Sequence, residues 1–544
     1  MNLPTSPAAT ASQLIRHWAG TTPDAVAISF EGRHETFADF DRTVDEWAKA
    51  LLALGVSRGE GISILSGNHP DFLHLAFAAA RVGAHLVPQN TWHHAEEIAY
   101  TLEHSESTWL FTVPSLRRHD YAAGLAQILP ELAESGAELH SARFPHLRGV
   151  VSLRGEIAGA RTLASVLAAG EQVPAEALGE RERQNRPEDL MYLLYTSGST
   201  AKPKSVMLAQ GAMIENNFHI GARQGVDAQD RTWLATPLFY GLSAIQGLFS
   251  TWTHGGRVVL QEVFDAAAAL EMLEKERCTV YYGFGNLTRK LLSTPGFDKS
   301  RLFLRKGMIG FSYEDRKLAL DDLGITYGTS VYGMTELYGL ATLTAWDDDH
   351  ETILTTQGLP VPGQEVVIVD PETEEPLAPG EVGAVLVRGR VTPGYFKDPE
   401  RTAETIREDG FFRTGDLARF DENGRMVYQA RATEMMKPGG INVSPQEVES
   451  LLDGLDGVKQ AHVCSIPDDE AGEVVVAFIE ADPRELPLER IRATLAQRAA
   501  SYKIPRIVHY RTDEQIPRLS NGKVPRTALR AEAIALANGA RDDH

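Results

Sequence analysis

Two periodicities alternate along the first part of the chain. Apolar residues recur at a helical spacing over residues 40–54 and 72–82, and short apolar runs typical of strands cover 26–30 and 61–65. A second alternating region extends from 190 to about 344. Because helices that connect strands pack on the faces of a sheet, this alternation predicts an α/β protein.

The remaining segments follow other patterns. Residues 153–188 are rich in Ala, Gly and Glu, and we expect a surface excursion there. Residues 355–430 hold short β runs between Pro and Gly turns, which predicts a small β-rich subdomain. The α/β rhythm then returns, with helices predicted over 445–455 and 488–499 and a strand over 474–479.

The length of 544 residues exceeds what one hydrophobic core usually supports. We predict a large N-terminal domain over residues 1–430, made of two α/β subdomains and the small β-rich subdomain. A smaller α/β domain over 435–544 is expected to follow it. Nothing in the pattern indicates an oligomeric state.

The charge balance is strongly acidic, with 53 Lys plus Arg against 74 Asp plus Glu and a net charge of −21. The average field therefore repels nucleic acid and anionic lipid, and we expect neither as a partner. An anionic small ligand is still possible, because a local group of amides and cations can outweigh that field.

Cysteine content and the N-terminus point to the reducing cytoplasm. Cys278 and Cys464 are the only cysteines, and neither has Cys or His neighbours at metal-ligand spacing. The first ten residues show neither a basic region nor an apolar one, and no apolar run is long enough to span a membrane.

One loop has the composition of a phosphate site. The apolar run 190–195 leads into a segment rich in Gly, Ser, Thr and Lys. Gly198 permits positive φ and Lys204 supplies a cation, while hydroxyl groups come from Thr196, Ser197, Ser199 and Thr200. The segment lacks the Walker spacing, and a plain polar turn between strands is the alternative.

Segment 195–205, Tyr-Thr-Ser-Gly-Ser-Thr-Ala-Lys-Pro-Lys-Ser, resembles the phosphate loop of the adenylate-forming superfamily. That superfamily includes acyl-CoA synthetases, aryl-CoA ligases, luciferases and peptide-synthetase adenylation domains. The similarity extends over nearly the whole chain, in family order, through Tyr332-Gly-Met-Thr-Glu336, Gly394-Tyr395, Arg413-Thr-Gly-Asp-Leu417, Arg431, Tyr502-Lys-Ile-Pro-Arg506 and Ser520-Asn-Gly-Lys523.

The resemblance implies a two-step reaction. ATP would activate a carboxylic acid as an acyl-adenylate with release of pyrophosphate, and the acyl group would pass to a thiol, with CoA favoured. A separate carrier protein is the rival thiol. The rival of another class is a catalytically inactive protein that only binds an adenylate, which the presence of Lys523, Glu336 and Asp416 disfavours.

The resemblance also implies roles for residues at the ATP site. Glu336 and Thr196 would hold Mg²⁺, Thr335 would contact the α-phosphate, and Lys523 would contact the attacking carboxylate. Tyr332 would stack on adenine. The other implied ATP-binding residues are Ser197, Gly198, Ser199, Thr200, Lys204, Gly310, Phe311, Ser312, Gly333, Met334, Asp416, Tyr428 and Arg431. The alternatives without a role in ATP binding are a core aromatic for Tyr332, a surface ion pair for Asp416 with Arg431, and a solvated lysine at 523.

The acid and the thiol are expected to bind on sides of the site that differ from the ATP side. By resemblance, the acyl pocket consists of Phe239, Tyr240, Phe284, Gly285 and Gly310, which suits an aromatic or a medium-length acid. A mobile C-terminal domain would turn about the hinge 431–434, at Thr433, and present Lys437, Gly439 and Gly440 to the thiol. Those glycines can equally form a plain turn before a helix that Ser444 caps and Pro445 begins.

Several residues depart from the family pattern. Ala201 and Ser205 stand where glycines are usual, so any positive φ there would be costly. Gln210 and Tyr240 stand at positions often held by His, and Thr433 occupies the usual hinge position. These departures leave the fine geometry of the loop and of the domain rotation open.

Overall fold

The computed structural model describes residues 5–134, 139–196, 203–438, 441, 443–468, 472–518 and 524–542. The first segment contains α1 (Ala11–Thr21), β1 (Val26–Phe30), β2 (Arg33–Thr36), α2 (Phe37–Ala53), β3 (Gly61–Leu65), α3 (Pro70–Arg81), β4 (His85–Pro88), α4 (Ala95–Ser105), β5 (Trp109–Thr112), β6 (Ser115–Leu116), β7 (His119–Asp120) and α5 (Tyr121–Ile128).

The next elements complete two large sheets. They are β8 (Gly149–Ser152), β9 (Arg161–Thr162), α6 (Leu163–Gly170), α7 (Ala175–Arg183), β10 (Leu190–Thr196), β11 (Lys204–Ala209), α8 (Gln210–Arg223), β12 (Arg231–Leu234), α9 (Leu248–Trp252), β13 (Arg257–Leu260), α10 (Ala266–Lys275), β14 (Val280–Tyr282), α11 (Gly285–Leu292), β15 (Lys306–Met308), α12 (Tyr313–Lys317) and β16 (Tyr327–Thr329).

The last two groups of elements form smaller sheets. The first group is β17 (Val331–Tyr332), β18 (Thr342–Leu343), α13 (His350–Thr355), β19 (Leu359–Pro360), β20 (Glu365–Val369), β21 (Gly383–Arg388), α14 (Pro399–Thr405), β22 (Phe412–Phe420) and β23 (Met426–Arg431). The second is α15 (Pro445–Asp453), β24 (Gln460–Asp468), β25 (Gly472–Glu480), α16 (Leu488–Leu495), β26 (Ile507–Tyr510) and α17 (Arg526–Asp542).

Two seven-stranded sheets form the centre of the large domain. Their strand orders are β16-β15-β14-β12-β13-β1-β2 and β11-β10-β4-β3-β5-β8-β9, and only the edge pairs β1–β2 and β10–β11 are antiparallel. Strands β20 to β23 make an antiparallel four-stranded sheet, and β24, β25 and β26 make a separate sheet near the C-terminus. The predicted α/β architecture, with two α/β subdomains, a β-rich subdomain and a smaller C-terminal α/β domain, is confirmed. The bounds 430 and 435 stay predictions.

The segment 153–188 lies mostly at the surface, as expected, but it also contributes a strand to the second sheet and a few residues to its core. Strand β9 extends the second sheet beside β8, and α6 packs on α2 so closely that a Cβ at Gly170 would lie 2.6 Å from the Ala50 backbone nitrogen. Val166 and Leu178 are buried in the same core. Gly170, one of the small residues of this segment, lets the two helices approach closely.

Capping groups explain most differences in the helix bounds. Helix α2 begins at Phe37, earlier than predicted, because Thr36 and Asp39 form a reciprocal capping box. Helix α15 begins at Pro445 as expected, but Ser444 makes no side-chain cap, and its hydroxyl instead donates to the Gln429 carbonyl at 2.5 Å. Across the described residues, no helix has the length and apolar character needed to cross a membrane.

A buried ionic network joins four helices of the N-terminal subdomain. Arg81, whose side chain is fully buried, lies 2.6 Å from Asp41 and 2.7 Å from Asp45. Arg16 contacts the same two carboxylates at 2.7 Å each, but its side chain is 37% exposed. Glu182 on α7 binds Arg16 at 3.1 Å. The network therefore connects α1, α2, α3 and α7 through charges that would be costly to leave unpaired.

We expect Arg81→Met to lower the free energy of unfolding by about 3 kcal/mol, because it leaves two partly buried carboxylates without their deepest partner. The matched control Arg16→Met should cost about 1 kcal/mol or less, since water screens that side chain. Urea unfolding of both variants measures the difference. Equal losses would contradict the importance given to the buried arginine.

An acidic cluster lies where the C-terminal domain faces α12. Glu449 is held by Arg526 through two hydrogen bonds of 2.6 and 2.9 Å. Burial, with Glu449 and Glu314 nearby, raises the pKa of Asp453 to about 8. Asp453 also ends α15, where the helix dipole disfavours a negative charge. In the folded chain this carboxyl group therefore keeps its proton well above pH 4.

The raised pKa predicts that stability falls as the pH rises from about 4 to about 8, because in that interval the unfolded chain releases a proton that the folded chain retains. Asp453→Asn should therefore raise the melting temperature at pH 8 by about 2–4 °C. The gain should vanish near pH 4. Thermal unfolding at both pH values tests this, and an equal gain at the two would refute it.

Candidate active site

Asp416 lies at the centre of a cluster on one side of the candidate site. It sits in β22 directly opposite Arg431 of β23, and the Arg431 Nε lies 3.0 Å from its Oδ1. The Tyr332 hydroxyl, from β17, donates to its Oδ2 at 2.7 Å. The Tyr428 ring packs on Tyr332 with centroids 5.8 Å apart. Asp416 is only 3% exposed, whereas the Arg431 side chain is 48% exposed, so the pair joins a buried carboxylate to a half-exposed guanidinium.

Burial and charge set the protonation of this cluster. Burial, together with the Asp416 carboxylate, raises the pKa of Tyr332 far above its usual value, so the phenol remains a hydrogen-bond donor. Burial also acts to lower the pKa of Arg431, but Asp416 and the nearby tyrosines outweigh it and raise that pKa. Asp416 thus faces two fixed donors, one neutral and one cationic.

The predicted phosphate loop connects two antiparallel strands. Thr196 ends β10 and pairs with Lys204, the first residue of β11. The intervening candidates Ser197, Gly198, Ser199 and Thr200 lie outside the described residues. The Lys204 ammonium lies 5.7 Å from the centre of the Tyr395 ring. Burial lowers the pKa of Lys204, and the Glu336 carboxylate acts in the opposite direction.

Glu336 is buried beside this hairpin in a short 3₁₀ turn, Thr335–Leu337. Its Oε1 accepts a hydrogen bond from the Tyr395 hydroxyl at 2.9 Å, and its backbone carbonyl accepts one from the Thr392 N–H at 2.7 Å. Burial and the Glu336 charge raise the pKa of Tyr395. Tyr395 was noted only as part of a motif, and its contact with Glu336 makes it a site residue.

The expected acyl-pocket aromatics lie next to Thr335. A Cβ placed on Gly241 would be 3.7 Å from the Thr335 hydroxyl, which puts the segment with Phe239 and Tyr240 beside that residue. The rings of Phe239 and Tyr240 lie 4.5 Å apart. Trp92, which the motifs did not indicate, meets Phe239 edge-on at 5.2 Å.

The other residues expected in the acyl pocket lie just after the ends of β14 and β15. Phe284 precedes α11 and stacks on Phe311 at 5.0 Å. Gly285 has no room for a side chain, since a Cβ would lie 1.6 Å from an Asp315 oxygen. Gly310 has φ of +125°, which also favours glycine. Ser312 caps α12 by accepting from the Asp315 N–H at 3.0 Å.

Gly333 lies where no side chain fits, because a Cβ there would lie 2.0 Å from the Gly339 carbonyl oxygen. The residue therefore permits the tight turn that follows β17. Met334, the next residue, packs against the apolar cluster of the β20–β23 sheet.

Some of the candidate residues near the C-terminus lie within the described part of the chain, and others lie outside it. Thr433 is exposed in the 3₁₀ turn Ala432–Glu434, and the exposed Lys437 donates its backbone N–H to Glu473 at 2.8 Å. Gly439, Gly440 and Lys523 lie outside the described residues. Arg526, which begins α17, lies 3.4 Å from Glu434.

Two of the departures from the family pattern have structural explanations. Ser205 lies in β11 without positive φ, pairs with Tyr195, and donates its hydroxyl to the Phe396 carbonyl at 3.1 Å, so it causes no strain. Gln210 is buried and accepts the Ala11 N–H at 2.8 Å. Ala201 lies outside the described residues.

Comparison with known proteins agrees with this arrangement. Residues 15–396 match the family model of AMP-binding enzymes, and residues 447–523 match that of their C-terminal domain. The acyl-CoA ligase sidI of Aspergillus fumigatus is 33% identical over 94% of this chain and 89% of its own. The putative acyl-CoA synthetase YngI of Bacillus subtilis is 30% identical over 97% and 98%.

Among solved structures, the ATP-bound RpMatB-BxBclM chimera B1 superposes with a TM-score of 0.80 at 25% identity, over 96% of this chain and 98% of that one. The resemblance read from the motifs is thereby confirmed. The chain belongs to the family of AMP-binding enzymes and is an AMP-forming acid–thiol ligase.

Proposed function

We propose that this enzyme joins a carboxylic acid to ATP, giving an acyl-adenylate and pyrophosphate, and then transfers the acyl group to the thiol of CoA with release of AMP. The observation that carries this proposal is the position of Thr335 and Glu336. These neighbours lie between the Asp416 cluster, which suits a nucleoside, and the Lys204 hairpin, which suits phosphates.

The Asp416 cluster would bind the nucleoside of ATP. An ionised carboxylate accepts hydrogen bonds only, which suits the two hydroxyl groups of a ribose. Tyr332 and Arg431 hold Asp416 in one orientation before any ligand arrives. Tyr332 is itself buried in the apolar cluster of the β20–β23 sheet, so the Tyr428 ring that packs on it would offer the aromatic surface for adenine.

The Lys204 hairpin would bind the phosphates. Attack of a carboxylate on the α-phosphorus brings two anions together, so neutralising charge and positioning supply most of the catalysis. Lys204 would contact the leaving pyrophosphate together with the hydroxyls of residues 196–200. Thr335 would donate to the α-phosphate, and Lys523 would neutralise charge at the attacking oxygen.

Mg²⁺ would enter with ATP as part of the substrate. Across the described residues, no group of three or more His, Cys, Asp or Glu side chains could hold a metal ion by itself. Glu336 and Thr196 offer a carboxylate and a hydroxyl, which are hard oxygen ligands that suit Mg²⁺ when phosphates complete the set. The Tyr395 hydroxyl orients Glu336 for this role.

The thiol would arrive from the C-terminal side. We propose that residues 435–544 turn about 431–434 after pyrophosphate leaves, which moves Lys523 away and brings Lys437, Gly439 and Gly440 to the acyl-adenylate. Free CoA is favoured over a carrier protein because the relatives at 33% and 30% identity are named acyl-CoA ligase and acyl-CoA synthetase. Both cysteines are buried thiols without a disulfide, which is compatible with a reducing cytoplasm.

Lys523→Ala should lower acid-dependent exchange of labelled pyrophosphate into ATP by about 10²- to 10³-fold, the effect of losing one preorganised donor to the transition state. Transfer from a chemically prepared acyl-adenylate to CoA should stay near the wild-type rate, because that step does not use Lys523. Lys437→Ala is the matched control. It should keep the rate of pyrophosphate exchange and slow the transfer of the acyl group to CoA. Full exchange activity in Lys523→Ala would contradict the assignment.

Asp416→Asn should raise the KM for ATP by about tenfold or more, since an amide can accept from only one side and loses the charge that Arg431 balances. Tyr332→Phe, which keeps the ring and removes only the hydroxyl, should have a smaller effect. Initial rates of pyrophosphate release against ATP concentration give both values. An unchanged KM in Asp416→Asn would show that the carboxylate does not contact the nucleotide.

The choice of thiol has a direct test. Incubation with ATP and an acid panel, with either CoA or a phosphopantetheinylated carrier protein, should give a thioester with CoA by mass spectrometry. Thioester on the carrier protein alone would favour the carrier protein as the thiol substrate. Failure to release pyrophosphate with every acid would overturn the proposed reaction.

A further inference from the structure

A cavity of about 510 Å³ lies at the carboxyl ends of three parallel strands in the second large sheet. Leu65, which ends β3, lines it together with the segment after β4 that starts at Trp92 and the segment around His119 that follows β5. The first turns of α4 and α5 close its other sides. The volume lies within the range of pockets that bind small molecules.

The topology of the sheet favours a ligand at this place. Strand β4 pairs with one edge of β3 and β5 with the other, so the chain reverses direction across the sheet between β4 and β5. In open α/β sheets, ligands bind outside the carboxyl ends of the strands at such a reversal point. None of the residues assigned above to ATP lines this cavity.

The lining combines buried apolar side chains with a polar rim that includes Arg118. Ile98, Leu125 and Ile128 are buried and supply the floor. Burial lowers the pKa values of His93 and His119, so both imidazoles are neutral near pH 7. The Nδ1 of His93 is buried and has no hydrogen-bond partner in the described part of the chain.

The carboxylates at the rim are already occupied. Glu96 binds Arg143 at 2.7 Å, and Asp120 accepts the Ala123 N–H at 2.9 Å as the cap of α5. A cationic ligand would therefore find little compensation among these carboxylates, and Arg118, which also lines the cavity, offers a further hydrogen-bond donor. The chemistry suits an apolar body whose far end carries a neutral hydrogen-bonding group that could satisfy His93.

Trp92 connects this cavity to the reacting centre. Its ring lines the cavity and also meets the acyl-pocket aromatics Phe239 and Tyr240, at 5.2 and 5.8 Å between centroids. The loop after β3 is joined to the same segment, because the Asn68 side chain accepts the Leu238 N–H at 2.8 Å. One aromatic layer therefore separates the cavity from the side of Thr335.

We propose that this cavity receives the end of the acid that is distal to its carboxylate, with Trp92 as the specificity-determining residue at its entrance. The substrate class is an acid with an extended, largely apolar body and a neutral polar group, such as a hydroxyl, at the far end. This inference rests on the proposed adenylation of a carboxylic acid. It assigns the cavity to the first step of the reaction, before any thiol binds.

Gly124 provides the sharpest test. It lies on α5 and lines the cavity, and a Cβ there would make only an ordinary contact of 3.6 Å with the Ala95 methyl group. Gly124→Met should fill the cavity from this point, whereas Gly124→Ala adds one methyl group and suits a helix better than glycine. The alanine variant is therefore the matched control.

We would measure kcat/KM for pyrophosphate release, without CoA, over straight-chain acids from butanoic to hexadecanoic and their terminal hydroxy derivatives. In the wild type, kcat/KM should rise with length and with the terminal hydroxyl. Gly124→Met should lower it by about tenfold or more for the long acids and leave the short ones unchanged. Gly124→Ala should match the wild type.

Two further variants probe the entrance and the rim. Trp92→Ala should change the ranking of long against short acids, and His93→Leu should remove the advantage of the terminal hydroxyl. An unchanged length profile in Gly124→Met, with short acids still turned over, would overturn the inference while leaving the proposed function intact. A rise in the KM for CoA alone in Gly124→Met, measured in the complete reaction, would also overturn it, because it would assign the cavity to the thiol. A wild type that releases no pyrophosphate with any acid would instead defeat the proposed function.

Discussion

The buried carboxylate of Asp416 is the constraint on which the nucleotide side of the structure depends. A charge that is almost entirely removed from water is tolerated only when donors surround it. Tyr332 and Arg431 supply those donors from two different sheets, because β17 belongs to the three-stranded sheet and β23 to the four-stranded one. The Tyr332 hydrogen bond that helps to satisfy the charge therefore also joins the two sheets.

A similar arrangement connects the phosphate side to the β-rich subdomain. Tyr395 donates to Glu336 and lies over Lys204, and the backbone of the neighbouring Phe396 donates to the Ser205 carbonyl at 2.9 Å. The hairpin from the second large sheet thus meets the turn that carries Thr335 and Glu336. The candidate active site is the place where three sheets are joined by polar contacts.

Charged groups connect the C-terminal helix α17 to the predicted hinge. Arg526 is held by the partly buried Glu449 and lies near Glu434. On the other side of the large domain, Trp92 links the acyl aromatics to the cavity beyond β3. Both connections therefore join elements that are distant in sequence.

The amino-acid sequence by itself determined the local structure and the family. Alternating periodicities predicted the strands 26–30 and 61–65 with their observed bounds, and the motifs at 195–205, 332–336 and 413–417 indicated adenylate chemistry. These features can be predicted from the sequence because periodicity and motif spacing depend on near neighbours along the chain.

Only the tertiary structure decided which distant residues meet. The donation of Tyr395 to Glu336, the contact of Trp92 with Phe239, and the packing of the Ala- and Gly-rich α6 on α2 each join segments far apart in sequence. No local pattern encodes such a contact, because burial and hydrogen-bond satisfaction are properties of the assembled core. For the same reason, the Gly339 carbonyl that requires a glycine at position 333 is visible only in the fold.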